Sequence, residues 1–205
     1  MLDIAPLGDR ALTIRLGDTM DASLAARARA IAARLRPLAG VQDTVPGYAT
    51  VTVFCEVTPD LAAIESVVST ASAEAATGTE HTIPVRYDGP DLDEVARRTG
   101  LTTSEVVERH AARAYTVYLI GFVPGWAYLG DLDPSLQLPR RDQPRPRVPA
   151  GSVAIAGRQT GVYPLPTAGG WHLIGNTNMP MFDPMADPPA KLAAGDRVRF
   201  VPTTA

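Results

Sequence analysis

Apolar and polar residues alternate along "RALTIRLG" (Arg10–Gly17), the period of a half-buried strand. From Asp21 the period lengthens: Leu24, Ala28, Ile31 and Leu35 recur on one helical face, Arg27 and Arg34 point elsewhere, and Pro37 with Gly40 ends the run. "VQDTVPG" and "ATVTVFCEV" then read as two β-branched strands joined by a turn at Gly47. Thr58-Pro59 suits the N-cap and first position of a second helix carrying Leu61, Ile64 and Val68. "HTIPVRY" reads as a closing strand. The predicted order for residues 1–81 is β-α-β-β-α-β, a split βαβ or ferredoxin-like arrangement.

Asp88-Gly89-Pro90 breaks the pattern. Two short helices are predicted after it, over Asp91–Arg98 and Ser104–Ala114, with Thr102 and Glu105 as a capping box for the second. From Tyr115 onward short β-rich runs ("YTVYLIGF", "SVAIAG", "WHLIG", "RVRFVPT") lie between Gly/Pro turns. That spacing predicts an all-β barrel or sandwich in a second domain, residues 82–205. "LPRRDQPRPRVPAG" is long for a connection inside a domain, a length that often goes with function.

Composition narrows the class. The 205 residues are 45% hydrophobic and 20% charged, ordinary for a soluble globular protein. A formal net charge of −3 argues against a nucleic-acid or membrane-surface binder. The charge is uneven: 6 basic against 10 acidic side chains in residues 1–81, and 13 against 12 thereafter, so an anion site is expected in the second half. Cys55 is the sole cysteine and sits in an apolar run, as a buried thiol does. No run approaches the roughly 20 apolar residues of a membrane span, and "MLDIAPLGDR" lacks the pattern of a secretory signal, so a cytoplasmic location is expected.

The candidate chemistry centres on "AGSVAIAGRQTGVYPLPTAGGW" (Ala150–Trp171). It holds no G-x-x-x-x-G-K-[ST] or G-x-G-x-x-G, and Val162-Tyr163-Pro164 does not open a long helix, so its glycines read as turns between strands or a concave backbone surface. "LDEVARRTGLTTSEVVERHA" has helix-turn-helix spacing, but Glu105 and Glu108 would face phosphates, so two helices packed on a barrel is the preferred reading. His81, His110 and His172 show no metal-ligand spacing. His110 is expected to be packed or capping, while His172 alternates with Trp171 and Leu173, so the two faces of that strand differ in polarity. "AGSVA" is not a nucleophile elbow. Arg140, Arg141, Arg145 and Arg147 suit either phosphate or carboxylate recognition, or ion pairs to Asp131, Asp133 or Asp142.

"GFVPGWAYLGDLDP" (Gly121–Pro134), "VPAGSVAIAGRQTGVYP" (Val148–Pro164) and "GGWHLIGNT" (Gly169–Thr177) followed by "FDP" resemble the KipI/PxpB family, also called allophanate hydrolase subunit 1 or the carboxyltransferase C/D domain. "LGDRALTIRLG", "GVQDTVPGYATVTV" and "IPVRY" fall in the family's order, so the resemblance covers nearly the whole chain. It implies an α+β protein: an N-terminal ferredoxin-like domain followed by a C-terminal cyclophilin-like β-barrel. It implies the B subunit of an ATP-dependent 5-oxoprolinase, inactive alone, which works with a homologue of the C component (a carboxyltransferase A/B domain) and a hydrolytic A component. ATP, with Mg²⁺, would be shared with a partner, and this chain carries no biotin segment. Two other roles follow from the same resemblance: a KipI-like regulator that inhibits a sensor histidine kinase, and a carboxyltransferase-type subunit in urea or allophanate metabolism.

For the first role, Arg140, Arg141, Gln159 and Thr160 are the implied catalytic groups. Tyr118, Gly125, Arg158, Tyr163, Gly169, Gly170, Trp171 and Asn176 are the implied substrate- or cofactor-binding residues. The chain departs from the family pattern at Asn176, where an arginine is common, and at Thr167-Ala168, where Ser-Pro is common. The segment at "YDGPDL" is also shorter than the family form.

Overall fold

The early alternating segments form strands, but their partners differ from expectation. In the computed structural model, which describes residues 3–56, 60–72 and 78–203, the chain divides into units spanning residues 1–77 and 78–205. In the first, β1 (Asp3–Pro6), β2 (Ala11–Arg15), β3 (Val41–Pro46) and β4 (Thr50–Cys55) make an antiparallel sheet ordered β1-β2-β4-β3. Helix α1 (Ala22–Leu35) starts where Asp21 accepts from the Ser23 and Leu24 amides. It packs Ala28, Ile31 and Leu35 in one core with Val51 and Val53 of β4. Helix α2 (Leu61–Thr70) is capped by Asp60 and adds Ile64 and Val68 to that core, whereas Leu61 is exposed. The expected Thr58-Pro59 cap lies outside the described residues. Cys55 is buried, and desolvation pushes its thiol pKa up.

The edge beside β2 is taken by β1, so the first unit runs β-β-α-β-β-α and not β-α-β-β-α-β. The strand expected to close it, β5 (Glu80–Val85), pairs in parallel with β13 (Arg197–Pro202) of the second unit. Ile83 and Val85 are buried there with Val198 and Phe200, and Pro84 is tolerated because β5 is an edge strand.

After β5 come α3 (Leu92–Thr99) and α4 (Thr103–Ala111), then β6 (Ala114–Ile120) and β7 (Ala127–Gly130). They are followed by β8 (Arg145–Val148), β9 (Ser152–Ala156), β10 (Gln159–Val162), β11 (Thr167–Gly169) and β12 (His172–Asn176). Seven strands form one sheet ordered β12-β9-β10-β7-β6-β13-β5, and β8 pairs with β11 in a separate ribbon. The sheet nearly closes into a barrel: past the end of β5, Arg86 and Asn176 exchange backbone hydrogen bonds of 2.9 and 2.8 Å. The glycine-rich stretch is therefore strand and turn. Gly157-Arg158 turns the β9–β10 hairpin with Gly157 at φ 54°. Helices α3 and α4 bury Val95, Ala96 and Val106 in the core shared with Val117, Leu129 and Ile174, and the Thr102–Glu105 capping box is present. Among the described residues no helix is long and apolar enough to cross a membrane.

His110 is fully buried, stacked on Phe200 at 4.7 Å between ring centroids. The Thr160 hydroxyl donates to the Ala154 carbonyl, so it accepts from His110 Nε2 at 2.8 Å. The neutral ring then presents Nδ1 as acceptor to the Tyr87 hydroxyl, 2.7 Å away. Desolvation lowers the His110 pKa from 6.5 to about 3. Between those values the unfolded chain binds more protons than the folded one, so stability falls as pH drops from about 6.5 towards about 3. Urea unfolding at pH 7 and pH 4.5 should show this loss. His110→Gln, which keeps a donor for Thr160 and removes the titrating ring, should shrink it; an unchanged pH slope would exclude His110 as its source.

Candidate functional site

The turn Asp88-Gly89-Pro90 delivers Asp91 to the N-cap position of α3, yet its side chain makes no capping bond there. The buried carboxylate turns elsewhere. Oδ1 accepts from Arg141 Nη1 at 2.9 Å and Arg145 Nη2 at 2.6 Å, and Oδ2 accepts from the Leu173 amide of β12 at 2.7 Å. The Asp91 amide donates to the Leu173 carbonyl at 3.0 Å. Burial pushes the Asp91 carboxyl pKa up, but the Arg145 bond, the Leu173 amide and the two guanidinium charges outweigh it and hold the group below its ordinary value. The expected carboxylate partners of this arginine cluster, Asp131, Asp133 and Asp142, are not the ones that Arg141 and Arg145 find.

Asp91 thereby fastens the strip of chain from Pro139 to Arg145 beside β11 and β12. The Arg141 amide donates to the Gly170 carbonyl at 2.7 Å, His172 Nε2 bonds the Pro139 carbonyl at 2.9 Å, and Arg145 pairs with Gly169 in the β8–β11 ribbon. Successive residues then face different cavities: Arg140 and Trp171 border one, Arg141 and His172 another.

The first cavity, about 210 Å³, is aromatic. Trp126 is buried at its centre, in edge-to-face contact with Tyr163 (4.6 Å between centroids), Trp171 (5.0 Å), Tyr128 (5.7 Å) and Phe122 (5.9 Å). Glycine makes the packing possible. A Cβ on Gly169 would overlap the Tyr163 hydroxyl, and one on Gly161 would stand 3.0 Å from the Trp126 ring. Phe122 is the exposed ring, 60% accessible, and is held at φ 72°, a left-handed conformation costly for a bulky side chain. Among the described residues Arg140 is the one charged member of the lining. The Trp126 indole N–H is buried and has no acceptor among the described residues. Desolvation raises the pKa values of Tyr128 and Tyr163, so both hydroxyls stay protonated at neutral pH.

Of the residues singled out in the sequence, Arg140, Tyr163, Gly169, Gly170 and Trp171 line this cavity together. Arg141 is spent on Asp91 and borders the second cavity. Thr160 is fully buried, its hydroxyl committed to His110 and Ala154, while Gln159 begins the same strand. Arg158 pairs with Asp131 at 3.0 Å, and the Tyr118 hydroxyl reaches the same carboxylate at 3.2 Å, outside the lining of either cavity. Gly125, at φ 79°, packs on Phe182 directly before Trp126. Asn176 closes the barrel and donates to Asp88 through its side chain. Phe122, Trp126, Tyr128, Pro144 and Ala168 complete the lining, and none of them is among the site residues that the resemblance implies. The rings of "GFVPGWAY" were the available signal, overshadowed by the glycines between them.

Residues 2–192 match the family described as carboxyltransferase domain, subdomain C and D. The chain is 43% identical over 204 residues to the 5-oxoprolinase B subunit of Escherichia coli O157:H7, covering 96% of this chain and 94% of that protein. It is 38% identical over 219 residues to the 5-oxoprolinase B subunit of Bacillus subtilis strain 168, covering 97% and 91%. The crystal structure of TTHA0988 superposes with a TM-score of 0.87 at 40% identity, covering 96% of this chain but only 40% of that one. The Kluyveromyces lactis urea amidolyase shares the fold, with a TM-score of 0.80 at 17% identity over 99% of this chain and 15% of its own.

Removing the carboxylate at position 91 leaves two guanidiniums without their partner. Asp91→Ala should destabilise the protein by about 3 kcal/mol, the low end for a broken buried ion pair because both arginines keep partial exposure. Urea unfolding followed by tryptophan fluorescence measures it; a loss near zero would show that the strip is held without Asp91.

Proposed function

This chain belongs to the family of the carboxyltransferase domain, subdomain C and D, and we propose that it serves as the B subunit of an ATP-dependent 5-oxoprolinase. Near-complete coverage of relatives bearing that name supports the reading. A lactam amide is resonance-stabilised and resists opening at neutral pH; phosphorylation of its oxygen by ATP supplies the leaving group, and the protein's task becomes positioning and charge stabilisation. The product of ring opening is glutamate, released by the hydrolytic A component.

The observation that carries the assignment to a site is the aromatic cavity, with a single guanidinium and an unpartnered indole N–H. The ring methylenes of 5-oxoproline pack against Trp171 and Tyr163, its carboxylate meets Arg140, and the Trp126 N–H offers a donor to an oxygen of the substrate. These are positioning and binding roles. Among the described residues no three carboxylate, histidine or cysteine side chains converge as metal ligands, and the glycine-rich turns are not a nucleotide loop. In this reading MgATP is shared between this chain and a homologue of the C component. In TTHA0988 the matched region is 40% of a longer chain, which suits a fold that works joined to further protein.

The test is 5-oxoproline-dependent ADP release by the three components together. Omitting this chain should abolish it. Arg140→Ala and Trp171→Ala should each raise the KM for 5-oxoproline roughly ten- to hundredfold while the complex still assembles. Release that does not depend on this chain would overturn the assignment, and an unchanged KM in both variants would remove the cavity from the site.

A further inference from the structure

Met185 is 91% accessible, the most exposed large apolar side chain among the described residues. Methionine is ordinarily a core residue, so its place in open solvent calls for a cause. The loop that carries it, Phe182–Ala190, is bonded to itself. Phe182 and Ala190 form a bridge, the Asp183 amide donates to the Pro189 carbonyl at 2.8 Å, and the Ala186 amide donates to the Asp183 carbonyl at 3.1 Å. The Met185 amide donates to Asp183 Oδ1 at 2.9 Å, and Pro184, Pro188 and Pro189 stiffen the chain further. Residues 183–189 are all exposed, so the loop is an arm that holds Met185 out from the barrel. A segment shaped before it binds loses little entropy on binding.

The base of the arm meets the rim of the aromatic cavity. Phe182 packs on Gly125, and three residues before Gly125 stands Phe122, 60% exposed and part of the cavity lining. Met185 itself is outside the lining of its own cavity. Arm and cavity are complementary in chemistry. The arm carries Asp183 and Asp187 and no basic residue. Asp183 is engaged by the Met185 amide, whereas the Asp187 carboxylate has no partner among the described residues. The cavity presents four aromatic rings besides Phe122, together with Arg140, which is exposed and in no ion pair among the described residues. A thioether packs well against aromatic rings, and a carboxylate pairs with a guanidinium. We propose that two copies of this chain pair in solution, each placing the Met185 tip of its arm in the aromatic cavity of the other, with Asp187 against Arg140. Because arm and cavity adjoin, a two-fold axis closes both contacts at once and gives a dimer, not a growing row of molecules. The pairing stands on the arm and the cavity alone. Its consequence rests on the function proposed above: with 5-oxoproline assigned to the same cavity, the paired chain is shut to substrate.

The experiment is sedimentation equilibrium of the purified full chain from low-micromolar to near-millimolar concentration. A monomer–dimer equilibrium is expected. Met185→Asp and Arg140→Glu both change exposed side chains, so neither threatens the core. Each should weaken dimerisation about tenfold or more, and Asp187→Lys added to Arg140→Glu should restore it. A chain that stays monomeric throughout, or a dimer that Met185→Asp or Arg140→Glu leaves unchanged, overturns the pairing. A chain that is monomeric alone but binds a homologue of the C component through Met185 gives the arm to that partner and likewise overturns it. Adding 5-oxoproline should dissociate the dimer. A dimer that both variants weaken and 5-oxoproline does not would uphold the pairing and overturn only the placement of the substrate in this cavity.

Discussion

A buried carboxylate, Asp91, ties the start of α3, the Pro139–Arg145 strip and β12 together. Placed to cap α3, it instead binds two guanidiniums and the backbone of β12. Burying that charge is unfavourable by itself, and it is offset by two guanidiniums and a backbone amide supplied by the elements it joins. A helix start, a seven-residue strip and a barrel strand are thereby fixed at one point. The depressed Asp91 pKa is the thermodynamic trace of the same bonds, since ionisation and docking of the strip stabilise each other.

Because the strip is fastened, it can act as a wall with chemically different sides. Trp171 and Arg140 face the aromatic cavity, while His172 and Arg141, one residue on in each case, border the polar one. Neighbouring residues of the strip, and the two residues at the start of β12, thus present two chemistries from adjacent positions. Gly169 and Gly161 serve the same wall by letting Tyr163 and Trp126 come into contact with the backbone.

Local signals in the sequence were legible, and pairing over long distance was not. The α1 cap at Asp21, the Thr102–Glu105 capping box and the β9–β10 hairpin follow from periodicity and turn chemistry that span only a few residues. The destination of β5 does not, because its register with β13 bridges more than a hundred residues and leaves no mark on the alternation of "HTIPVRY" itself. β1 was missed for a related reason: four residues ending in proline carry too little pattern to announce an edge strand. At the site, the arginines were visible as charge, but their partner was sought nearby in sequence at Asp131, Asp133 and Asp142. The partner found, Asp91, lies 50 and 54 residues from Arg141 and Arg145. Thr160, singled out for its place in a glycine-rich motif, is committed to a buried histidine, and no local pattern in "GFVPGWAY" shows that the Trp126 N–H lacks an acceptor among the described residues.

The dependence of the site on Asp91 is tested most directly by Asp91→Asn, which preserves shape and removes charge, in the assembled complex well below the variant's melting temperature. If the carboxylate positions Arg140 and Trp171 through the strip, the KM for 5-oxoproline in ADP release rises about tenfold or more with assembly intact. An unchanged KM would show that the strip holds its place without the charge, and would contradict the central role of Asp91.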